Sequence, residues 1–241
     1  MFALENLWIF LKRHSIKTMH IFKRTGKFYM SICYENSNNK LKQKGTGTVG
    51  LDLGIKHLYT AFDGVNFDIS NGVDMHYINA KIARLNKKLS RQQTNSHNFT
   101  KTLLQLQKWY RKGVDVKKDQ YYKIANHLCQ SYDTIIVDDF SFDKCLKGLH
   151  KYTNQNRRHI THKLLDISPY MFKTILDNKA KEYNVEVKFI PKGTPTTQTC
   201  SHCGHQLQKK LGIQDRTFTC EVCGFTLDRD QNSAINVYKY T

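Results

Sequence analysis

The order of apolar patterns along the sequence predicts a mixed α/β fold, in which a mixed sheet carries helices on its faces. The first part of the chain contains several short runs in which apolar and polar residues alternate, which is the period of β-strands. The rest alternates between runs with helical spacing and short apolar runs. With 241 residues and a hydrophobic content of 39%, the chain can form one packed domain of moderate size, or one domain with a small appendage.

Two alternating runs near the start of the chain predict a β-hairpin. They cover residues 16–22 and 28–34, and Gly26 between them can adopt the positive φ of a tight turn. The polar residues 36–46 are typical of a linker or an exposed loop. Three further apolar runs between residues 48 and 70 are separated by turn residues, so we expect an antiparallel three-stranded meander there.

From about Met75 the apolar period becomes helical. One face of the expected helix carries Ile78, Ile82, Leu85 and Leu89. A second helical stretch covers residues 99–110 and resumes at 121–128, and Gly113 with the β-branched residues beside it predicts a break between the two parts. The sequence therefore predicts a basic helical hairpin, inserted between the meander and the next strand.

The remaining elements are expected to alternate between strands and helices. Residues 134–142 form an apolar strand that runs into Asp138 and Asp139, and a polar, basic segment with little periodicity follows it. Ser168-Pro169 marks a helix start, because proline fits the first helical position. A strand and a short helix complete the prediction, at residues 185–191 and 229–240.

The charge of the chain predicts a polyanionic partner. The sequence has 38 Lys and Arg against 20 Asp and Glu, a formal net charge of +18. Such a surplus favours nucleic acid, because Lys and Arg release counterions from phosphates. The alternatives are a basic protein without such a partner and an anionic membrane surface.

Neither a membrane span nor a secretory signal is expected. No segment approaches the roughly 20 apolar residues that a spanning helix needs, and the opening apolar run, residues 7–11, has no small-residue cleavage site after it. We therefore expect an intracellular protein, cytoplasmic or nucleoid-associated in a prokaryote, with no membrane partner. Four of the seven cysteines form two close pairs and three are scattered, which argues against a disulfide framework.

The two cysteine pairs predict a structural zinc site. Each pair has the spacing Cys-x2-Cys, and sixteen residues separate the pairs, which consist of Cys200, Cys203, Cys220 and Cys223. Four thiolates fill the tetrahedral shell of zinc and leave no open position. Gly204 and Gly224 fit the tight turn after each pair. A redox dithiol is the competing interpretation, and it needs only one pair.

Three aspartates occupy positions where a carboxylate is costly without a cation. Asp52 interrupts the strand pattern of "TVGLDLG", and the glycines on its own face would leave room for a ligand. Asp138 ends an apolar strand and Asp230 opens the last helix. If the fold brings them together, they would bind magnesium or manganese, which prefer oxygen ligands.

The aspartates other than Asp52 can also be explained by local structure alone. Asp230 could be a helix N-cap or a first-turn anion, and Asp139 and Asp228 could be turn formers. Neither a cap nor a turn explains Asp52. The combination of three such residues is what favours a metal site.

The order of these motifs resembles the transposon-encoded TnpB proteins, also called OrfB of certain insertion sequences. The similarity runs from about Ile16 to Val237 and is carried by "GLDLGIKHLYT", the basic helical hairpin, "IIVDDFSF", "KAKEYNVEV" and "TQTCSHCG" followed by "FTCEVCGFTLDRDQNSAINV". Two Cys pairs followed directly by Asp-x-Asp-x-Asn-x-Ala are specific in that order. Proteins of this family are RNA-guided DNA nucleases related to the type V CRISPR effectors.

The resemblance implies a RuvC-like nuclease domain, built on the ribonuclease H fold, with an inserted zinc ribbon. The nuclease domain would comprise residues 46–196 and 225–241, and the ribbon residues 197–224. Residues 1–45 would be a hairpin and linker left from an N-terminal wedge-like region. Most of the recognition region of the family would be missing, as in a truncated copy or in a compact relative that depends on another subunit.

The resemblance also assigns the catalytic residues, namely Asp52, Asp138 and Asp230. The family usually has Glu at the second position, so the side chain of Asp138 is shorter by one C–C bond, about 1.5 Å. A misplacement near 1 Å can cost on the order of 100-fold in rate, which leaves retained, weakened and lost cleavage open. Asn232 would orient the substrate or only pack the helix.

The implied activity is hydrolysis of DNA phosphodiester bonds, with DNA and a guide RNA as partners. Six basic residues are expected to bind nucleic acid, namely Lys81, Arg84, Lys88, Arg91, Arg157 and Arg158. Trp109 and Tyr110 would stack on a base or belong to the core. The alternatives are a nuclease-inactive or truncated nucleic-acid-binding derivative, such as a guide-dependent repressor, and an inert remnant held together by zinc.

Overall fold

The computed structural model describes residues 8–9, 11–12, 15–24, 26–35, 41–138, 153–191, 193–212 and 214–240. These residues form two compact units. One unit consists of the chain up to Leu41 together with His76–Gly113, and the other of Lys42–Met75 together with Val114–Thr241. Asp139, a possible turn former, and Cys145, one of the three scattered cysteines, lie outside the described residues.

The first unit contains the predicted hairpin. Strands β1 (Ser15–Arg24) and β2 (Lys27–Glu35) pair antiparallel, and Gly26 between them has a φ of 77°. The positive φ explains why glycine is required at this turn. Helix α1 (His76–Leu89) also belongs to this unit and confirms the helix predicted from the period of Ile78 and its apolar neighbours.

The predicted break at Gly113 is wrong. Helix α2 (His97–Ser131) is one continuous helix of 35 residues, which begins in the first unit and continues into the second. Its buried positions recur with helical spacing across the glycine, at Thr102, Leu106, Gly113, Lys117, Tyr121, Ala125 and Leu128. A glycine inside a helix costs about 1 kcal/mol relative to alanine, which packing along a buried stripe of this length can outweigh.

The second unit is built on a five-stranded mixed sheet. Its strands are β3 (Thr48–Leu53), β4 (Tyr59–Phe62), β5 (Phe67–Ser70), β6 (Thr134–Val137) and β7 (Glu186–Phe189), in the order β5-β4-β3-β6-β7. Strands β3, β4 and β5 form the predicted antiparallel meander, while β6 pairs parallel with β3 and β7 pairs parallel with β6. This arrangement confirms the mixed α/β class.

In the described part of the second unit there are three more helices. They are α3 (Asn154–Ile167), α4 (Pro169–Tyr183) and α5 (Arg229–Tyr238). Pro169 opens α4 as predicted, but α3 lies in the segment for which no periodicity was recognised. The reason is that the first apolar residue of this helix is Ile160, midway along it, so the buried apolar residues Ile160, Leu164 and Ile167 span only about two turns. Within the described residues, no helix is both long enough and apolar enough to cross a membrane.

The two faces of the sheet carry different helices. On one face, Leu51 and Val137 belong to the main core together with buried residues of α2 and α4. On the other face, α5 lies directly on Gly50, where an added Cβ would be 2.4 Å from the Tyr238 backbone nitrogen. The expectation that the glycine beside Asp52 leaves room for a ligand is therefore wrong for Gly50, because α5 fills that space.

Candidate functional site

The four predicted cysteines converge on one point. Their sulfur atoms all lie within 4.8 Å of one another, with Sγ–Sγ distances of 3.7 Å for Cys200–Cys223 and 3.6 Å for Cys203–Cys220. A tetrahedral zinc ion with Zn–S bonds of about 2.3 Å places its sulfurs about 3.8 Å apart. The cluster therefore has the dimensions of a four-cysteine zinc site.

Two turns of the same construction present these cysteines. The N–H of Gly204 donates to the Cys200 carbonyl at 2.9 Å, and the N–H of Gly224 donates to the Cys220 carbonyl at 3.1 Å. Both glycines have positive φ, 77° and 70°, which other residues adopt only with strain. Backbone N–H groups, that of Cys223 foremost, lower the pKa of Cys220 to about 6. The pKa of Cys223 is raised instead, because the lowering effect of the Phe225 N–H is outweighed by burial and by the sulfurs of the other three cysteines.

The ribbon that carries the cysteines has a small sheet and core of its own. Strands β8 (Thr217–Thr219) and β9 (Thr226–Asp228) pair antiparallel, and Phe218 is fully buried beside Cys200 and Cys220. The His202 ring stacks on Phe225, with ring centroids 5.5 Å apart. His202 is thus part of the ribbon surface, as expected from a shell that four thiolates already fill.

Parallel pairing of β3 and β6 brings Asp52 and Asp138 to the same place. Leu51 and Val137 are partners in the register, so the residues that follow them, Asp52 within β3 and Asp138 just after β6, lie at the same level. The N–H of Asp138 donates to the Leu51 carbonyl at 3.0 Å. Because Leu51 and Val137 face the main core, side chains alternate and both aspartates face the side of α5.

Asp230 lies in the first turn of α5 but does not cap the helix. The side chain of Asp228 is the N-cap and accepts the N–H groups of Asp230 at 2.9 Å and of Gln231 at 3.3 Å. The Asp230 carboxylate instead contacts two guanidinium groups, that of Arg229 at 3.3 Å and that of Arg216 at 3.7 Å. The N-cap alternative for Asp230 is therefore wrong, and it applies to Asp228.

Asp52 is the most buried of the three carboxylates, with 6% of its surface exposed. Burial raises the pKa of Asp52 well above its ordinary value, and the nearby charges of Asp138 and Asp230 raise it further. A hydrogen bond from the Ser233 Oγ to the Asp52 Oδ1 at 2.9 Å acts in the opposite direction. The three predicted aspartates thus lie close enough to interact electrostatically.

This cluster is more open than the cysteine cluster. Among the described residues, the four cysteines are the group of possible ligands whose atoms all lie within 4.8 Å of one another, and the three carboxylates are not included in such a group. The charges of Asp138 and Asp230 nonetheless both act on Asp52.

Several residues around these carboxylates were not foreseen. Asp52 accepts a hydrogen bond from Ser233, which is 181 positions away in the sequence. Asp138 accepts a hydrogen bond from the Thr196 Oγ1 at 2.8 Å, and these residues are 58 positions apart. No local pattern signals contacts at such separations. Arg229, in contrast, lies between Asp228 and Asp230 in the sequence, and this adjacency could have indicated its role.

Asn232 serves the packing of α5. Its side chain is fully buried, accepts the N–H of Ser201 at 2.9 Å and donates to the Thr199 carbonyl at 2.8 Å. Both ends of the amide are thereby used to attach the helix to the segment that leads into the first cysteine turn. Of the two interpretations of this residue, helix packing is the one that the structure supports.

Four of the predicted nucleic-acid-binding residues lie on one surface of the first unit. A recess of about 810 Å³ is lined by Lys81, Arg84, Lys87 and Lys88 of α1, by Arg91, which follows this helix, and by Trp109 of α2. The Trp109 ring meets Tyr77 edge to face, with centroids 5.7 Å apart, and Tyr110 is 51% exposed. The basic surface has an aromatic wall, which is suited to phosphates and bases.

The other two predicted residues belong to the second unit. Arg157 and Arg158 are exposed on α3 and line a recess of about 530 Å³ with Asn154, Thr161 and His162. Binding of nucleic acid by either group of residues stays a prediction.

The sequence matches two family models. Residues 31–147 match the insertion-sequence OrfB family described as "Probable transposase", and residues 170–237 match the domain described as "Cas12f1-like, TNB domain". The first segment contains Asp52 and Asp138. The second contains all four cysteines and Asp230.

Curated relatives show the same relationship. The chain is 27% identical over 228 residues to "Putative RNA-guided DNA endonuclease InsQ" of Escherichia coli (strain K12), covering 92% of this chain and 56% of the relative. It is 30% identical over 160 residues to a TnpB-like protein of Acanthamoeba polyphaga mimivirus, covering 66% of this chain and 29% of the relative. The chain thus spans about half the length, or less, of these relatives.

Solved structures share the fold at low sequence identity. The chain matches a Cas12f1 complex with single guide RNA and target DNA with a TM-score of 0.55 and 14% identity, covering 92% of this chain and 56% of that one. A CRISPR-Cas12f ternary complex matches with a TM-score of 0.55 and 16% identity, covering 97% and 48%. Together with the two family models, which cover more than half of the sequence, these relatives identify the chain as a member of the TnpB/OrfB family of insertion-sequence proteins.

Proposed function

We propose that this protein is a transposon-associated, RNA-guided, metal-dependent DNA endonuclease. The observation that carries the proposal is the meeting of Asp52, Asp138 and Asp230 on one side of the sheet, where their charges interact. Buried carboxylates that repel one another are costly unless a cation joins them. The names of the curated relatives supply the nucleic-acid chemistry, because the Escherichia coli protein is named as an RNA-guided DNA endonuclease.

The fold agrees with a RuvC-like, ribonuclease H-like nuclease domain, as the family resemblance implies. The central strand of the mixed sheet carries Asp52, and its parallel neighbour leads into Asp138. The cysteine ribbon lies in sequence between the last strand of this sheet and α5, which carries Asp230. In this proposal the ribbon is a zinc ribbon whose closed four-cysteine site stabilises the fold and takes no part in the reaction.

The carboxylates offer the oxygen ligands that magnesium and manganese prefer. Two-metal nucleases hold two such ions about 3.5–4 Å apart. Asp52, Asp138 and Asp230 would hold the ions here, since the charges of Asp138 and Asp230 both act on Asp52. When bound, such ions supply an activated water and stabilise the leaving 3′ oxygen of the scissile phosphodiester.

The protein itself contributes the side chains that orient the carboxylates toward a common site. Ser233 fixes one oxygen of Asp52, and α5 holds Asp230 beside it. Burial and the neighbouring carboxylates raise the pKa of Asp52. A divalent cation beside this carboxyl group would lower its pKa, so binding of the cation would release a proton. Binding of the divalent ions is therefore expected to strengthen with pH.

Nucleic acid would be held by the two basic surfaces. Lys81, Arg84 and Lys88 of α1, with Arg91 just after it, would contact phosphates, and Trp109 in the same recess offers a ring on which a base can stack. Arg157 and Arg158 would contact phosphates through α3. A guide RNA and a target DNA are the partners that these surfaces are proposed to bind.

A cleavage assay tests the proposal. The protein, purified with its bound RNA, is incubated with magnesium or manganese on single-stranded and double-stranded DNA that matches the RNA. We expect cleavage by the unmodified protein and by Asp119→Ala, which removes an exposed carboxylate of α2, and none by Asp52→Ala or Asp230→Ala. Cleavage by Asp52→Ala, or no cleavage by the unmodified protein, would contradict the proposal.

A further inference from the structure

The segment between β7 and the first cysteine turn carries a side chain that bonds Asp138. Thr196 is 4% exposed, and its Oγ1 donates a hydrogen bond to the Asp138 Oδ2 at 2.8 Å. The hydroxyl is neutral, so it can orient the carboxylate without cancelling the charge that attracts a cation. An arginine or lysine in its place would compete with that cation.

Helix α5 fixes this segment in place. The Asn236 side-chain amide donates to the Thr196 carbonyl at 2.8 Å and to the Thr199 carbonyl at 2.7 Å. Asn232 holds Thr199 and Ser201 as described above, and Lys239 donates to the Ser201 carbonyl. The backbone that carries Thr196 is therefore tied to the helix that also carries Asp230.

The other two carboxylates are held from the same helix. Asp52 accepts its hydrogen bond from Ser233 of α5, and Asp230 is paired with its neighbour Arg229. The Arg229 guanidinium in turn donates to the Gly212 carbonyl in the ribbon at 2.8 Å. Each of the three aspartates thus has a side-chain partner that lies on α5 or on a segment bonded to α5.

We propose that Thr196 is the positioning residue of Asp138, and that Asn236 sets the place of Thr196. Asp138 reaches about 1.5 Å less far than a glutamate would, so its orientation tolerates little freedom if it is to reach an ion. A hydrogen bond to one carboxylate oxygen removes that freedom. The inference rests on the proposed function, because it takes Asp138 to be a ligand of divalent cations.

Three variants of Thr196 separate the hydroxyl from the volume of the side chain. Thr196→Val has nearly the same shape without the donor, Thr196→Ser keeps the donor, and Thr196→Ala lacks the donor without adding bulk. The dissociation constant of manganese is measured by electron paramagnetic resonance on the full chain with its cysteine site loaded with zinc. Circular dichroism and zinc content show whether each variant is folded.

We expect Thr196→Val and Thr196→Ala to bind manganese about 10-fold or more weakly, which is the usual cost of losing a hydrogen bond to a metal ligand. Thr196→Ser should retain the affinity of the unmodified protein to within about 3-fold, by the same reasoning. Asn236→Ala should weaken binding in the same direction. Unchanged affinity in whichever of the Val and Ala variants is folded would overturn the inference, as would a loss in Thr196→Ser equal to that in Thr196→Val.

The Asp52→Ala variant separates this inference from the proposed function. If the unmodified protein and Asp52→Ala bind manganese equally, the proposed carboxylate site is wrong and Thr196 has nothing to position. If Asp52→Ala loses binding while folded Thr196→Val does not, the site stands and only the role of Thr196 is rejected. Loss of binding in both, with retention in Thr196→Ser, supports both proposals.

Discussion

The Oγ of Ser233 lies 2.9 Å from the Oδ1 of Asp52 and donates a hydrogen bond to it, although 181 positions separate the two residues. The bond crosses from α5 to the central strand of the sheet and is buried. It opposes the effects of burial and of the neighbouring carboxylates on the pKa of Asp52. Apolar residues at both positions would stabilise a core better than this polar pair, so we expect the pair to serve the function of the protein.

Replacing Asp52 by Asn should stabilise the metal-free protein at neutral pH. Burial first, and then Asp138 and Asp230, raise the pKa of Asp52 well above the ordinary value of 3.8. A carboxyl group whose pKa is higher in the folded state contributes stability below its unfolded pKa, and that contribution is lost as the pH rises through the folded pKa. Each unit of difference corresponds to about 1.4 kcal/mol.

Thermal unfolding in EDTA measures this effect. At neutral pH we expect Asp52→Asn to melt at least about 2 °C above the unmodified protein, and the difference to vanish near pH 4. Manganese should raise the Tm of the unmodified protein but not that of Asp52→Asn. Asp119→Asn, at an exposed ion pair, serves as the control and should show neither effect. A lower Tm for Asp52→Asn in EDTA would contradict the prediction.

Replacing Gly50 by Ala should displace α5 and with it Asp230. The added Cβ would lie 2.4 Å from the Tyr238 nitrogen, 2.7 Å from its Cα and 2.8 Å from the Ala234 carbonyl oxygen, so the helix backbone must move. Overpacking of this kind costs about 1–3 kcal/mol. Urea unfolding and manganese affinity should therefore both decline in Gly50→Ala.

Gly54→Ala provides the matched control for this change. Gly54 follows the same strand, and a Cβ there would meet only the His57 carbonyl oxygen, at 3.3 Å. We expect a much smaller loss of stability than in Gly50→Ala. Equal urea midpoints for the two variants would show that α5 does not rest on Gly50 as closely as described.

Removal of one zinc ligand should unfold the ribbon. The unmodified protein is expected to contain about one zinc ion per chain, because four thiolates bind a single tetrahedral ion. Cys203→Ser should lose most of that zinc and melt at a lower temperature, since the free energy of zinc binding contributes to folding. Elemental analysis and calorimetry measure both quantities.

Cys33→Ser is the control for the zinc prediction. Cys33 lies on β2, is exposed and is remote in sequence from the ribbon. Zinc content and Tm should not change in this variant. Zinc binding that survives in Cys203→Ser at the level of the unmodified protein would refute the four-cysteine site.

Removing basic residues from α1 should weaken nucleic-acid binding in a salt-dependent way. Lys81, Arg84 and Lys88 line one recess, and each phosphate contact on a single strand adds about 0.7 to the salt slope. The triple alanine variant should therefore reduce the slope of log K against log salt by about 2, whatever the base sequence. Fluorescence anisotropy over a series of salt concentrations measures the slope.

A second triple variant tests whether the lower net charge alone explains the reduced salt slope of nucleic-acid binding. Lys123, Lys181 and Lys188 each form an exposed ion pair with a neighbouring acidic residue. Changing all three to alanine removes the same number of charges from another part of the protein. An equal loss of slope in this control would mean that the recess on α1 has no special part in binding.

The local pattern of the sequence determined a large part of this protein. The β1–β2 hairpin, the meander, the start of α4 at Pro169 and the four-cysteine cluster follow from the spacing of residues that are close in the chain. Turn chemistry, apolar period and metal-ligand spacing act over a few residues, so a sequence displays them directly.

The tertiary structure decided what local patterns could not. It made α2 continuous through Gly113, because a buried stripe along a whole helix outweighs the cost of one glycine. In the folded protein α5 occupies the space over Gly50. Ser233 donates a hydrogen bond to Asp52, and Thr196 donates one to Asp138. These contacts join residues far apart in the chain, and their geometry exists only once the sheet and α5 have packed together, so the local sequence carries no sign of them.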